Sequence, residues 1–241
     1  MRRDIHNSDI PELCRACEAR HKGVCGALSA DQLKALARES VRREVAAGTE
    51  LIASEEPVAT YANIMSGVVK LSKLLADGRR QIVGLQFAPD FLGRPFKRDG
   101  QLNAEAATPV RLCVFPHRTV ERLLRESPAL EHRLLEQALT ELDEAREWMV
   151  TLGRKNAGEK VASFLLLVAT CYDPEVADEA DRVTAFELPM TRADIADFLG
   201  LTIETTSRQL TRLRRDRVIE IAHNREITIL DPDELSQRSG G

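Results

Sequence analysis

Aromatic residues are scarce in this chain, at 4% of 241 positions, with a single Trp and two Tyr. Any core must therefore be built mainly from aliphatic side chains. Long hydrophobic runs are missing too. A membrane-spanning helix needs about 20 consecutive apolar residues, and the longest candidate, Val161 to Thr170, is half of that. No membrane association is expected. The opening Met1-Arg-Arg-Asp-Ile-His-Asn-Ser8 lacks the apolar stretch of a secretory signal, so a cytoplasmic location is expected. There is no internal repeat and no low-complexity tract. A large net charge is absent as well: 34 Lys+Arg against 38 Asp+Glu leave −4. What remains is globular composition, 43% hydrophobic and 30% charged, with enough length for one or two domains. Five cysteines in a reducing compartment point to metal binding or redox chemistry rather than a disulfide framework.

Four textures follow one another along the chain. Residues 1–30 form a short polar segment holding Cys14, Cys17 and Cys25. Residues 41–116 read as short strands at Val41–Val45, Glu50–Ile52, Tyr61–Met65, Val68–Leu75, Gln81–Phe87 and Val110–Phe115. Turn residues break them at Gly48, Gly67, Asp77-Gly78 and Pro89-Asp90. So many short strands in so few residues suggest a small antiparallel barrel or jelly roll. From Pro128 the period changes. Leu135, Ala138, Leu142, Ala145, Met149 and Leu152 recur at alternating steps of three and four, the a/d seam of one helix. The charges beside it, Glu141, Asp143, Glu144, Arg146 and Glu147, favour a seam between two chains over a plain core helix. A second helix is expected over Lys155–Tyr172, burying Val161, Phe164, Leu165, Val168 and Cys171. Asp173–Pro189 is acidic and aperiodic, and reads as a linker.

Beyond the linker lies a compact helical pair. Thr191-Arg-Ala-Asp194 fits a capping box, in which a hydroxyl and a carboxylate three residues on satisfy each other's backbone N–H groups. The first helix carries Ile195, Ala196, Phe198 and Leu199 and stops at Gly200, where positive φ is open to the chain. Small Ala196 and Gly200 would let two helices cross closely. Thr202 can cap a second helix running to about Arg217, with Ile203, Thr206, Leu210 and Leu213 as its buried stripe. This is a helix-turn-helix signature. Val218–Ile221 and Glu226–Ile229, joined through His223-Asn224-Arg225, would form a β-hairpin wing. Glu204, Ser207, Arg208 and Thr211 share the outward face, and such side chains can read base edges in a major groove. Arg212, Arg214 and Arg215 are expected on phosphates. From Ile203 to Arg217 there are five arginines against two acids, a net of +3 on one helix of an acidic chain. Double-stranded DNA is the expected partner.

The cysteines complete the inventory. Cys14-x2-Cys17-x7-Cys25 clusters three thiols, and Cys113, in a β-rich run, can be the fourth. An iron–sulfur cluster takes four thiolates and tolerates such spacing. Zinc also suits four thiolates, although structural zinc sites usually come as two close pairs. A redox Cys-x-x-Cys needs a βαβ context that is absent. His21 lies inside the segment but reads as a solvated histidine. No carboxylate–histidine or nucleophile–base set accompanies the cysteines, which disfavours an enzyme.

Taken together, these residues resemble the CRP/FNR family of bacterial transcription regulators, and within it the oxygen-sensing FNR branch. The resemblance runs over nearly the whole chain. It is carried by Cys14-x2-Cys17-x7-Cys25 with Cys113, by Asp90-Phe-Leu-Gly-Arg-Pro-Phe96, and by Leu199-Gly-Leu-Thr-Ile-Glu-Thr-Thr-Ser-Arg208. It implies an α+β fold: a cysteine-rich segment over 1–30, a cyclic-nucleotide-binding-like β-roll over 31–127, a dimerisation helix over 128–153 and a winged helix-turn-helix over 154–241. It implies a [4Fe–4S] cluster on Cys14, Cys17, Cys25 and Cys113 that permits dimerisation without oxygen, and RNA polymerase as a further partner. The family's recognition motif falls on Glu204, Ser207 and Arg208, implying a TTGAT-type half-site in a palindrome. Two departures stand out. Phe91 to Ala107 lacks the paired glycine-acid and Arg-Ser/Thr groups that grip a cyclic nucleotide, so none is expected. Some members carry Asp where this seam has Ala145. The rival is a relative whose β-roll takes a small organic effector, its cysteines holding zinc.

Overall fold

The computed structural model describes residues 10–15, 17–53, 60–95, 102–172 and 184–240, which fall into two compact units. The first comprises the described residues up to Lys73 together with Val83–Asp143. It begins with short helices α1 (Glu12–Arg15) and α2 (Glu18–His21), a 3-10 turn at Val24–Ala27, and α3 (Ala30–Glu39). Ser29 starts α3 by accepting from the Gln32 N–H, while the Gln32 side chain accepts from the Ser29 N–H.

Among the described residues eight strands follow: β1 (Val41–Val45), β2 (Glu50–Ile52), β3 (Thr60–Ser66), β4 (Val68–Leu74), β5 (Arg80–Phe87), β6 (Phe91–Leu92), β7 (Asn103–Ala106) and β8 (Val110–Pro116). They form two four-stranded sheets, β1-β8-β3-β6 and β2-β7-β4-β5, joined as an antiparallel roll. The helices α4 (His117–Glu126) and α5 (Pro128–Arg154) come next.

The two-residue period of a strand decides what the roll encloses. Ala62, Ile64, Leu92, Val110 and Leu112 point inward and pack with Val69, Ala104 and Ala106 of the other sheet. Tyr61, Phe91 and Phe115 point outward, where Val24, Cys25, Leu28, Leu33 and Leu36 of the N-terminal segment cover them together with Val120, Leu123 and Leu124 of α4. Residues 17–30 are therefore not a polar tail: Ala19, Val24, Cys25 and Leu28 are buried.

The second unit comprises Leu74–Ile82 and the described residues from Glu144 onward. Its elements are α6 (Ala157–Tyr172), β9 (Thr184–Glu187), α7 (Arg192–Leu199), α8 (Ile203–Arg215), β10 (Ile219–Ala222), β11 (Glu226–Ile229) and α9 (Pro232–Arg238). Val161, Phe164, Leu165 and Val168 of α6 are fully buried with Ile195, Leu199, Ile227, Ile229 and Leu235. Trp148 of α5 adds an aromatic contact, its ring 4.6 Å from that of Phe198.

Four local expectations are corrected. The stretch read as a linker contains β9, which pairs with β11 and gives the sheet order β10-β11-β9; residues 173–183 lie outside the described residues. Cys171 is exposed, because it stands on the last turn of α6 at the margin of the buried stripe. Ile203 is 48% exposed on the first turn of α8, whereas Thr206, Leu210 and Leu213 are buried as expected. At Gly200 no atom would meet an added Cβ, so its φ of +62° rather than close helix crossing calls for glycine.

Candidate functional site

Two sets of residues are brought together, one in each unit. In the second unit, Thr191 Oγ1 accepts from the Asp194 N–H and the Asp194 carboxylate accepts from the Thr191 N–H, which fixes the start of α7. Gly200 ends that helix, with the Leu201 N–H returning to the Ala196 carbonyl. Thr202 then caps α8 through the Thr205 N–H. Turn chemistry and the buried stripe together aim the opposite face of α8 outward. There Glu204, Arg208, Thr211, Arg212, Arg214 and Arg215 are exposed and Ser207 is half-buried. The Arg208 guanidinium lies 3.3 Å from Thr205 Oγ1. At the end of the helix Asp216 gathers Arg215 at 3.2 Å and Arg238 at 2.7 Å. Its carboxyl is held below the usual range, chiefly by the bond from Arg238. The wing turns through His223 and Asn224, both at positive φ, and the Arg192 guanidinium donates to the Asn224 carbonyl.

In the first unit, Cys14, Cys17, Cys25 and Cys113 line one small cavity, with Arg20, Leu36, Ser40, Arg42, Asn63 and Phe115 among its other walls. Sheet register explains half of this. On β8, Cys113 is paired with Arg42 on β1 and with Asn63 on β3, so the three form one row across the outer face. The N-terminal segment lays Cys25 over that row, where Asn63 Nδ2 donates to Cys25 Sγ at 3.0 Å.

Burial pushes the Cys25 thiol up to about 12, with Cys113, Cys17 and Cys14 adding to it and the Asn63 bond opposing. The Cys14 and Cys113 thiols are also raised, again by burial first and in part by neighbouring cysteines. Arg42 counters both, and Ser40 hydrogen bonds to Cys113. The sulfurs are thus near enough for charge on one to disfavour charge on the next. Among the described residues, however, no three Cys, His, Asp or Glu groups stand close enough to share a single metal ion. Cys171 lies in the second unit and contributes nothing here. His21 is exposed, its ring 3.4 Å from the Arg15 carbonyl. The lining residues Arg20, Ser40, Arg42 and Asn63 carry no sequence signal of their own, since strand register must be known to place them.

Helix α5 presents the third feature. Of its a/d residues, Leu135 is 56%, Leu142 44% and Met149 73% exposed. Ala138 and Ala145 are exposed and Leu152 half-buried, while Leu139 and Val150, outside the a/d set, stand more than half exposed.

A β-roll bearing a cysteine-lined cavity, a long helix with an uncovered apolar stripe and a winged helix-turn-helix together define a DNA-binding transcription regulator. The description of the cyclic nucleotide-binding domain matches residues 42–127, and that of the Crp-like helix-turn-helix domain matches residues 159–238. The chain is 55% identical over 236 residues, 98% of its length and 97% of the other's, to a protein of Rhizobium leguminosarum bv. viciae named a probable transcriptional activator. It is 37% identical over 227 residues, 94% of its length and 92% of the other's, to the transcriptional activator protein FnrL of Cereibacter sphaeroides. The structure of FixK2 from Bradyrhizobium japonicum superposes with a TM-score of 0.75 at 30% identity, covering 84% of this chain and 98% of that one. The chain belongs to the Crp/FNR family of transcription regulators, which are not enzymes.

Proposed function

We propose that this regulator is a homodimeric, cytoplasmic transcription activator that senses oxygen through a [4Fe–4S] cluster held by Cys14, Cys17, Cys25 and Cys113. The observation that carries the reading is their convergence: four cysteines, separated by up to 99 positions in sequence, line one cavity, while the fifth stands apart. The donor set fits. A mononuclear zinc site would hold its sulfurs about 2.3 Å from one ion, and no such close set occurs among the described residues. A cluster that gives each thiolate its own iron tolerates wider spacing. When bound, the group supplies an oxygen-labile cross-link between the N-terminal segment and β8. Arg20 and Arg42 bring positive charge to a cavity where bound thiolates concentrate negative charge. Leu36 and Phe115 restrict water.

Downstream, Glu204, Ser207 and Arg208 read base edges of a TTGAT-type half-site, Thr211 contacts the same groove, and Arg212, Arg214 and Arg215 hold phosphates. A palindrome needs two such helices one DNA turn apart, so the dimer is the active form. The α5 stripe Leu135, Ala138, Leu142, Ala145, Met149 and Leu152 pairs the two chains, and bound dimer recruits RNA polymerase.

The rival reading has the β-roll take a small organic effector, with zinc on the cysteines; a groove of about 600 Å³ lies between Phe91, Arg94 and α5. That groove sets Glu131 and Glu141 against Arg94, a poor match for an anionic ligand. Anaerobic purification decides between the two. Iron and acid-labile sulfide should be present, with visible absorbance that bleaches in air. Cys14→Ser, Cys17→Ser, Cys25→Ser or Cys113→Ser should each abolish it and Cys171→Ser should spare it. Full iron and sulfide in the Cys113→Ser protein, or zinc in place of both, refutes the assignment.

A further inference from the structure

Asn63 is a buried polar side chain lodged between two of the cysteines. On β3 it stands in register with Cys113 of β8, and across the cavity its amide Nδ2 donates to Cys25 Sγ at 3.0 Å. The residue is 1% exposed, its strand neighbours Ala62 and Ile64 pack into the roll, and its Oδ1 has no partner among the described residues. A buried carbonyl without a partner is destabilising, and an apolar side chain of similar size would avoid that penalty. Folding alone therefore does not account for asparagine here. What asparagine supplies and leucine lacks is an N–H aimed at sulfur.

The setting makes that N–H consequential. Cys25 lies among Val24, Leu28, Leu33, Leu36, Tyr61 and Phe115, which offer its sulfur no hydrogen bond. A neutral thiol is a weak acceptor, whereas a metal-bound thiolate carries charge, and hydrogen bonds to charged partners are the strong ones. Donors to ligating sulfurs also draw charge off the metal group and favour its reduced form.

We propose that Asn63 is a positioning residue for the Cys25 ligand: its amide orients the sulfur and offsets the negative charge that sulfur carries when bound to iron. The proposal rests on the iron–sulfur reading given above. It places Asn63 on β3 as a member of the Arg42-Cys113-Asn63 row, tied to the N-terminal segment through Cys25.

The test uses the full chain, purified anaerobically, as wild type, Asn63→Leu and Asn63→Asp. Leucine removes the donor and the orphaned carbonyl together, and aspartate keeps the shape while setting an acceptor against sulfur. In Asn63→Leu the cluster-free chain should melt no lower than wild type. Its iron–sulfur form should show shifted charge-transfer bands, a lowered midpoint potential and bleaching in air several-fold faster. Asn63→Asp should retain little cluster. Wild-type bands, potential and bleaching rate in Asn63→Leu overturn the role of Asn63 while leaving the iron–sulfur reading in place. A cluster-free Asn63→Leu chain that melts well below wild type assigns Asn63 a structural role and also overturns the proposal. A wild-type chain that takes up no iron and sulfide overturns both readings.

Discussion

Replacing Leu142 by glutamate tests whether α5 is the pairing element. Complete burial of a leucine side chain is worth about 1.5–3 kcal/mol. Of the seam residues, Leu135, Leu142 and Met149 are each between 44% and 73% exposed, so about half of that remains to be gained at each. Three such side chains on each of two helices give a gross gain of about 5–9 kcal/mol, against an association penalty of about 4–15 kcal/mol. The balance is marginal, which is the condition under which a ligand can shift an oligomer equilibrium. In Leu142→Glu the dimer loses about 1 kcal/mol from each chain and must place two carboxylates together at the seam, for a total of about 3–4 kcal/mol. That corresponds to a several-hundred-fold rise in dimer Kd. Leu142 does not line the cysteine cavity, so iron and sulfide content should be unchanged. Anaerobic sedimentation equilibrium with visible detection reads both quantities in one sample. A Leu142→Glu protein that dimerises with the wild-type Kd refutes the pairing assigned to this stripe.

Arg208→Ala should weaken operator binding by about 1–3 kcal/mol and relax discrimination at one base pair per half-site. Arg214→Ala should weaken binding evenly across sequences and lower the salt slope by about one. Titrations against single-base operator variants separate the two, and equal losses on every variant for Arg208→Ala would mean that it touches only the backbone. Asp90 offers a pH test. Burial is the main cause that pushes its carboxyl from 3.8 up to about 6, Glu141 adds to it, and the bond from the Phe87 N–H opposes. The native chain therefore binds the extra proton between about pH 4 and 6, and stability falls as pH rises through that window. Asp90→Asn should then raise stability by about 2–3 kcal/mol above pH 7 and by nothing below about pH 4. Thermal melts at both pH values check the sign, and an equal Tm shift at each would place its origin elsewhere.

The sequence was most legible where local chemistry decides structure. Thr191, Asp194, Gly200 and Thr202 announce α7 and α8 because caps and a positive-φ turn act within a few residues. Strands β1 and β2 have the bounds read from the sequence, with Gly48 marking the turn between them. The strands that escaped notice are short or poor in β-branched residues: Phe91–Leu92, and Asn103–Ala106 with its two alanines. Thr184–Glu187 was hidden by acidic surroundings and becomes a strand through pairing with Glu226–Ile229. α3 and α4 carry polar-looking sequence whose apolar residues face only the outer side of the roll. For the candidate site, the cysteine spacing singles out Cys14, Cys17 and Cys25 without help. Arg42 and Asn63 could not be found that way, since their place beside Cys113 depends on the order β1-β8-β3, set by non-local pairing.

The same non-local packing joins the cysteine cavity to the exposed apolar stripe of α5. Leu130 of α5 is buried in the apolar layer that contains Cys25, and Leu134 and Cys113 pack against that layer. The Arg133 guanidinium donates to the carbonyl of Lys22 at 2.6 Å, between Cys17 and Cys25 in sequence, and also pairs with Glu136 at 3.1 Å. One turn of α5 therefore holds the N-terminal segment through Leu130, Arg133 and Leu134, and the next residue, Leu135, begins the exposed stripe. A helix is stiff over such a distance, since each turn is locked by its own backbone bonds. On the reading proposed above, tying Cys14, Cys17 and Cys25 to Cys113 fixes the backbone around Lys22, and that backbone is what Arg133 grips. Freeing the sulfurs loosens the anchor of the segment without touching the seam. The energy needed is small, because the seam is close to balance and a coupling of about 1–3 kcal/mol is enough to change which form predominates. On that proposal, sensing and pairing are separated by the single layer of side chains that holds Cys25, Leu130 and Leu134.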